Sequence, residues 1–154
     1  KSLASVGGVI AGPQTVIHWL RHHSRALIYT ASMPPASVAG VLTALDVMRD
    51  EPERRERLWS NTRRVADGLR AMGLEIGKAE TPIIPVVIGE MIAVGYAWRA
   101  LFDAGVFTHP IVPPAVPASS CRLRVSMSSE HTDDQIERVL GAFERIARTT
   151  PVAG

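Results

Sequence analysis

The chain of 154 residues has a single cysteine, Cys121, and only 5% of its residues are aromatic. One cysteine excludes an internal disulfide and a zinc site built from several cysteines. So few aromatic side chains, together with a net charge of only +2, argue against a surface that stacks nucleic-acid bases. The sequence also lacks an apolar run of about 18 residues that could span a bilayer, and it lacks a signal-peptide pattern. We therefore expect a soluble, cytoplasmic protein with no nucleic-acid partner and no transmembrane segment.

Several common site motifs are also missing. The sequence has no P-loop, no Gly-x-Gly-x-x-Gly and no Gly-x-Ser-x-Gly. His18, His22 and His23 lie near one predicted helix, but the glutamate of a zincin helix is missing, so we predict no metal site. Lysine is scarce as well, because Lys1 and Lys78 are the only lysines among 17 basic residues.

Apolar periodicity and turn residues predict a mixed α/β chain. The four prolines within 110–117 predict a semi-rigid extended loop, because proline removes backbone donors and fixes φ. Thr132 and Gln135 form a capping box that starts the last helix. The second half of the chain by itself predicts a small α/β unit. The predicted helices are 13–24, 34–48, 52–72, 91–104 and 132–147, and the predicted extended segments are 9–11, 27–30, 82–89, 106–108 and 121–126.

The first residues form a candidate site around a lysine. In Lys1-Ser-Leu-Ala-Ser-Val-Gly-Gly, small residues surround the amine, and Gly7 and Gly8 permit close approach of a planar ring to the backbone. Such a lysine could form a Schiff base if its pKa were lowered. On spacing alone, a solvated lysine without a chemical role remains the other interpretation.

A second candidate site is the pair Arg122 and Arg124. Their spacing on a predicted strand places both side chains on one face. A planar guanidinium can bind a carboxylate through two parallel hydrogen bonds, which lysine cannot do. Spacing alone does not choose between the two arginines, and two solvated surface arginines are the alternative.

Four stretches in order resemble the α-oxoamine synthases, which are class II, fold-type I pyridoxal-phosphate enzymes. The stretches are the lysine motif 1–8, Tyr29-Thr-Ala-Ser-Met-Pro-Pro-Ala36, the proline loop 109–117, and Arg122-Leu-Arg-Val-Ser-Met-Ser-Ser-Glu-His-Thr132. The run Ser32-Met-Pro-Pro-Ala36 and the proline loop are most similar in sequence to the serine palmitoyltransferase and 8-amino-7-oxononanoate synthase branches, which serve lipid or biotin biosynthesis. The resemblance covers essentially the whole chain.

The resemblance implies a role for each matching residue. Lys1 matches the lysine that carries pyridoxal 5'-phosphate and acts in catalysis. Thr30 and Ala31 match the pair that contacts the cofactor phosphate across a homodimer interface, through the hydroxyl and the backbone N–H respectively. Arg124 matches the arginine that binds the carboxylate of the amino-acid substrate, whereas Arg122 is left with a structural role.

The resemblance also implies the fold and the reaction. We expect the C-terminal portion of a fold-type I transferase, with residues 1–50 ending the large cofactor-binding domain and 51–154 forming the small α/β domain. The implied activity is a decarboxylative condensation of an amino acid with an acyl-CoA to a 2-amino ketone, by a homodimer with shared active sites. By this resemblance we also expect the 154 residues not to include the family's N-terminal part of the active site. An aminotransferase of the same fold and a non-catalytic interaction domain remain the alternative functions.

Overall fold

The computed structural model describes residues 3–149, and the chain divides into two compact units, Lys1–Pro52 and Glu53–Gly154. The sequence predicted a domain boundary at 50/51, two residues from this division. The assignment of the units to a large and a small domain of a longer enzyme stays a prediction.

The first unit contains three helices, α1 (Gln14–His23), α2 (Arg25–Ile28) and α3 (Pro35–Asp50). Pro13 and Pro34 occupy the positions just before α1 and α3, where a fixed φ and a missing N–H cost least. None of the three helices buries a residue, and large apolar side chains such as Trp19 and Leu42 are more than half exposed.

Two extended segments predicted in this unit are wrong. Residues 9–11 are exposed and have no regular structure, and the predicted segment 27–30 overlaps α2. Three apolar residues between glycines form a strand only if a neighbouring strand supplies hydrogen bonds, and the described part of this unit contains none. At α2, the Ser24 hydroxyl accepts a hydrogen bond from Leu27 N–H at 3.4 Å and caps the turn instead.

The second unit contains three α-helices and a three-stranded antiparallel sheet. Its elements in chain order are α4 (Pro52–Ala71), β1 (Ile83–Gly89), α5 (Met91–Asp103), β2 (His109–Ile111), β3 (Cys121–Ser126) and α6 (Asp133–Thr149). The strand order is β1-β3-β2, so β3 is central. Arg124 of β3 pairs with Pro85 of β1 and with His109 of β2.

The strand predicted at 106–108 is displaced to β2. Val106 N–H donates to Leu101 C=O at 2.8 Å and so closes α5, and Thr108 C=O accepts from Trp98 Nε1 at 3.2 Å. These bonds hold the segment against the helix, and pairing with β3 begins only at His109. Pro110 is tolerated in β2 because the strand lies at the edge of the sheet.

The core of the second unit lies between its sheet and its helices. Alternate residues of β3 are buried, as expected for a strand with one face toward a core. The largest fully buried side chains include Leu69 of α4, Ile84 of β1, Leu101 of α5, Leu123 of β3 and Phe143 of α6. The predicted helices 52–72, 91–104 and 132–147 therefore supply the apolar faces expected of them.

Predicted end signals of two helices are confirmed. Gly73 has φ +79° after α4, and Leu74 N–H reaches back to Leu69 C=O at 3.1 Å. Thr132 N–H donates to Gln135 Oε1 at 3.0 Å, and Gln135 N–H donates to Thr132 Oγ1 at 3.3 Å. These two hydrogen bonds together form the predicted capping box at the start of α6.

Polar contacts connect α4 to the start of α6. Arg54 pairs with Glu130 at 3.1 Å, and Arg64 bonds to both Asp133 and Glu137. These carboxylates raise the pKa of the Arg64 guanidinium, Glu137 more than Asp133. Because these groups are largely exposed, their contribution to stability is small. Within residues 3–149, no helix is long and apolar enough to span a bilayer.

Candidate functional site

The predicted site residues are distributed over both units. Lys1 lies outside the described residues. Thr30 and Ala31 follow α2 in the first unit, and Arg124 lies on β3 in the second unit.

Thr30 and Ala31 line a cavity of about 630 Å³ together with Gly7 and Gly8. The first unit therefore brings the glycines of the lysine motif and the Thr-Ala pair to one place. The Thr30 hydroxyl donates to Ala26 C=O, one turn earlier. No partner is recorded for Ala31 N–H among residues 3–149. One donor at this cavity is therefore free, and the other must turn away from Ala26 to reach a ligand.

The two arginines of β3 lie on one face of the strand but have different environments. Both are half-buried. Arg122 Nε donates to Ser120 C=O at 2.9 Å, so its guanidinium is held by the turn that precedes β3. Arg124 Nε is fully buried and has no hydrogen-bond partner within the described part of the chain. A buried charged donor without a partner is costly, and an anionic ligand would remove that cost.

Arg124 lines a cavity of about 330 Å³ together with residues of β2, α6 and the segment after α5. His109, His131, Gln135 and Arg138 also line it, and none of its lining residues is an aspartate or a glutamate. The lining is therefore rich in donors and carries positive charge. This cavity suits an anion such as a carboxylate.

The sequence did not predict that His131 lines the Arg124 cavity or that Asn61 holds the loop of His131. His131 lines the Arg124 cavity, and Asn61 holds the loop that carries His131 through bonds to Ser128 C=O and His131 C=O, both at 3.1 Å. The one sequence signal for Asn61 is that it is a polar residue close to the apolar face of the predicted helix 52–72.

The chain matches the aminotransferase class I and II family model over residues 1–143. It therefore belongs to that family. It is 43% identical over 140 residues to a serine palmitoyltransferase of Bacteroides ovatus, covering 91% of this chain and 36% of that protein. It is 35% identical over 148 residues to an 8-amino-7-oxononanoate synthase of Thermoanaerobacter pseudethanolicus, covering 96% of this chain and 38% of that protein.

A solved structure of SPT with the PLP internal aldimine matches with a TM-score of 0.91 and 37% identity. The match covers 99% of this chain and 39% of that one. The chain thus has the fold of part of a fold-type I pyridoxal-phosphate transferase, as the sequence predicted. It spans between a third and two fifths of the length of these relatives.

Proposed function

We propose that the chain is part of a pyridoxal-phosphate-dependent acyltransferase that condenses an amino acid with an acyl-CoA. The product would be a 2-amino ketone, with loss of CO₂ and release of CoA. Two lines of support are the membership of the family and the similarity to proteins named serine palmitoyltransferase and 8-amino-7-oxononanoate synthase. The acyltransferase would act in the cytoplasm as a homodimer with shared active sites.

The observation that carries the proposal is the state of Arg124. A carboxylate substrate needs a cationic donor that the protein itself does not use. Arg122 is bonded to Ser120 C=O, whereas Arg124 Nε is buried and unbonded, and Arg124 lines a cavity that has no acidic side chain in its lining. Arg124 therefore fits the role of the carboxylate ligand.

The residues at the 630 Å³ cavity fit the phosphate of the cofactor. A phosphate binds to N–H and O–H donors, and Ala31 N–H donates no hydrogen bond within the described residues. Thr30 Oγ1 can add a second donor once it turns from Ala26 C=O. We infer that the remaining cofactor ligands, for the ring and its nitrogen, come from outside these 154 residues.

In this mechanism, pyridoxal phosphate supplies an electron sink that makes the Cα proton of the amino acid removable. Lys1 would bind the cofactor covalently and later hold the Cα proton at Nζ. Arg124 would hold the substrate carboxylate in one orientation until the carboxylate leaves as CO₂. A charge-assisted pair of this kind contributes about ten- to a hundred-fold in binding.

The substitutions Arg124→Lys and Arg122→Lys test the assignment of the carboxylate ligand. Arg124→Lys keeps the charge but loses the planar pair of donors, so amino-acid binding should weaken about ten-fold or more. Arg122→Lys should change it much less. Titration of amino acid into each holoenzyme, followed by cofactor absorbance and by calorimetry, measures both affinities. Equal losses, or a larger loss at Arg122, would show that the wrong arginine was assigned.

The reaction itself separates this proposal from the aminotransferase that the family description also allows. With an amino acid and an acyl-CoA, the proposed enzyme releases free CoA thiol and CO₂ in equal amounts. An aminotransferase would instead form a keto acid and release neither. Thiol, CO₂ and keto-acid assays on the same holoenzyme decide between them.

A further inference from the structure

The imidazole of His131 has a defined tautomer. Ser128 N–H donates to His131 Nδ1 at 3.2 Å. Because a backbone N–H can only donate, Nδ1 must be the accepting nitrogen, and in the neutral ring the proton is on Nε2. No hydrogen bond to Nε2 is recorded within residues 3–149, so this donor is available to a ligand.

The loop that carries His131 is held in place by several bonds. Asn61 Nδ2 donates to the carbonyls of Ser128 and His131, each at 3.1 Å, and Asn61 itself is buried. Glu130 N–H donates to Ser128 Oγ at 3.2 Å. The ring position is therefore set before any ligand binds, which reduces the entropy lost on binding.

His131 and Arg124 line the same cavity of about 330 Å³. Arg124 brings a buried Nε without a partner, and His131 brings a free Nε2–H. A carboxylate has two oxygens that accept several hydrogen bonds, so one arginine does not saturate it. With no aspartate or glutamate in the lining, neither donor is already paired with a carboxylate there.

We propose that His131 is a substrate-binding residue whose Nε2–H donates to the carboxylate that Arg124 holds. The proposal rests on the proposed function, and it assigns His131 a role in ligand affinity that a purely structural histidine would not have. A structural histidine needs only Nδ1, to accept from Ser128, whereas a binding histidine needs Nε2 as well.

Two substitutions separate the two nitrogens. His131→Asn places an amide oxygen near the position of Nδ1 and removes the distal donor. His131→Gln places an amide N–H near the position of Nε2 and gives up the bond from Ser128. We expect His131→Asn to keep the wild-type Tm and to bind L-alanine about ten-fold more weakly. We expect His131→Gln to lower the Tm and to keep L-alanine affinity within about three-fold.

The holoenzyme is titrated with L-alanine and, as a matched control, with ethylamine, which is alanine without its carboxylate. Affinities come from cofactor absorbance and from calorimetry, and Tm comes from thermal unfolding. The proposal predicts that His131→Asn weakens alanine but not ethylamine. It is overturned if His131→Asn binds alanine like the wild type, or if alanine affinity follows Tm in both variants.

The Arg124→Lys variant keeps this failure distinct from failure of the proposed function. If Arg124→Lys weakens alanine binding and His131→Asn does not, only the role of His131 is wrong. If Arg124→Lys leaves alanine binding unchanged, the assignment of the cavity to the amino-acid carboxylate is wrong, and the role of His131 is overturned with it.

Discussion

Asn61 on α4 is a buried polar side chain on a face that otherwise packs into the core. Its amide nitrogen satisfies two backbone carbonyls of the loop before α6. Buried carbonyls without a donor cost about 1–3 kcal/mol each. A side chain of α4 therefore helps to hold the loop that carries His131.

We expect Asn61→Ala to lower the free energy of unfolding by about 1–3 kcal/mol, because His131 C=O and Ser128 C=O lose the Asn61 donor and Ser128 C=O keeps only a long bond from His131 N–H at 3.5 Å. Asn61→Asp should cost more at neutral pH, since a carboxylate would then face two carbonyl oxygens. The exposed neighbour Ser60→Ala serves as a control and should stay within about 0.5 kcal/mol of the wild type. Urea unfolding measures all three, and an Asn61→Asp protein as stable as the wild type would contradict the role given to Asn61.

Lys1 and Lys78 offer a matched pair, because they are the only lysines of the chain and Lys78 is exposed. If Lys1 carries the cofactor, Lys1→Ala should abolish both turnover and covalent labelling after borohydride reduction with pyridoxal phosphate. Lys78→Ala should keep both. Peptide mass spectrometry locates the label. A label that persists in Lys1→Ala would remove the basis for cofactor attachment at this residue.

For single residues, the sequence predicted on which face of a strand a side chain lies, but it did not predict which hydrogen bonds that side chain makes. Alternation along β3 placed Arg122 and Arg124 on one face, but it could not reveal that a preceding carbonyl occupies one guanidinium and not the other. That difference depends on the short turn Ala118–Ser120, whose geometry the sequence pattern does not determine. The environment of His131 likewise depends on Asn61, 70 residues earlier in the chain.

Helices α4 and α6 approach closely at Gly68. A Cβ on Gly68 would lie 2.5 Å from Leu140 Cδ2 and 3.2 Å from Cδ1. Glycine inside a helix costs about 1 kcal/mol relative to alanine, so its presence here is explained by the packing of Leu140 and not by helix propensity.

Gly95 of α5 provides the comparison, since a Cβ there would meet no atom within 4 Å. We expect Gly95→Ala to stabilise the protein by about 1 kcal/mol. Gly68→Ala should destabilise it by about 1 kcal/mol, because overpacking against Leu140 exceeds the gain in helix propensity. In a Leu140→Ala background, Gly68→Ala should become stabilising. Thermal and urea unfolding of this cycle test the idea, and equal stabilisation at Gly68 and Gly95 would refute it.

For helices and strands, the sequence predicted those features whose hydrogen bonds and contacts join residues close together in the chain. The capping box at Thr132, the glycine after α4 and the apolar period of 52–72 all involve residues within five positions of each other. The segments 9–11 and 106–108 were wrong because a strand depends on a partner elsewhere in the chain. Pairing of β2 with β3 starts at His109, and no local pattern marks that starting point.

Over the whole molecule, burial is unevenly distributed. All buried apolar residues recorded for residues 3–149 lie between Val65 and Ile146, in the second unit, while α1, α2 and α3 bury none. The second unit thus has a core of its own. In the proposed enzyme, the apolar residues of the first unit would pack against other parts of the longer chain or against a second copy.

A homodimer with shared active sites can be tested by mixing inactive subunits. Lys1→Ala removes the lysine, and Thr30→Asp puts a carboxylate against the cofactor phosphate. If Thr30 serves the site of the other subunit, each mixed dimer has one site with both defects and one intact site. Random exchange makes about half the dimers mixed, so activity should return to about a quarter of the wild-type value.

Mixing Lys1→Ala with a Lys1→Ala/Thr30→Asp double variant is the control and should restore no activity. Native mass spectrometry confirms exchange; mixed dimers without activity would place Thr30 at the site of its own subunit.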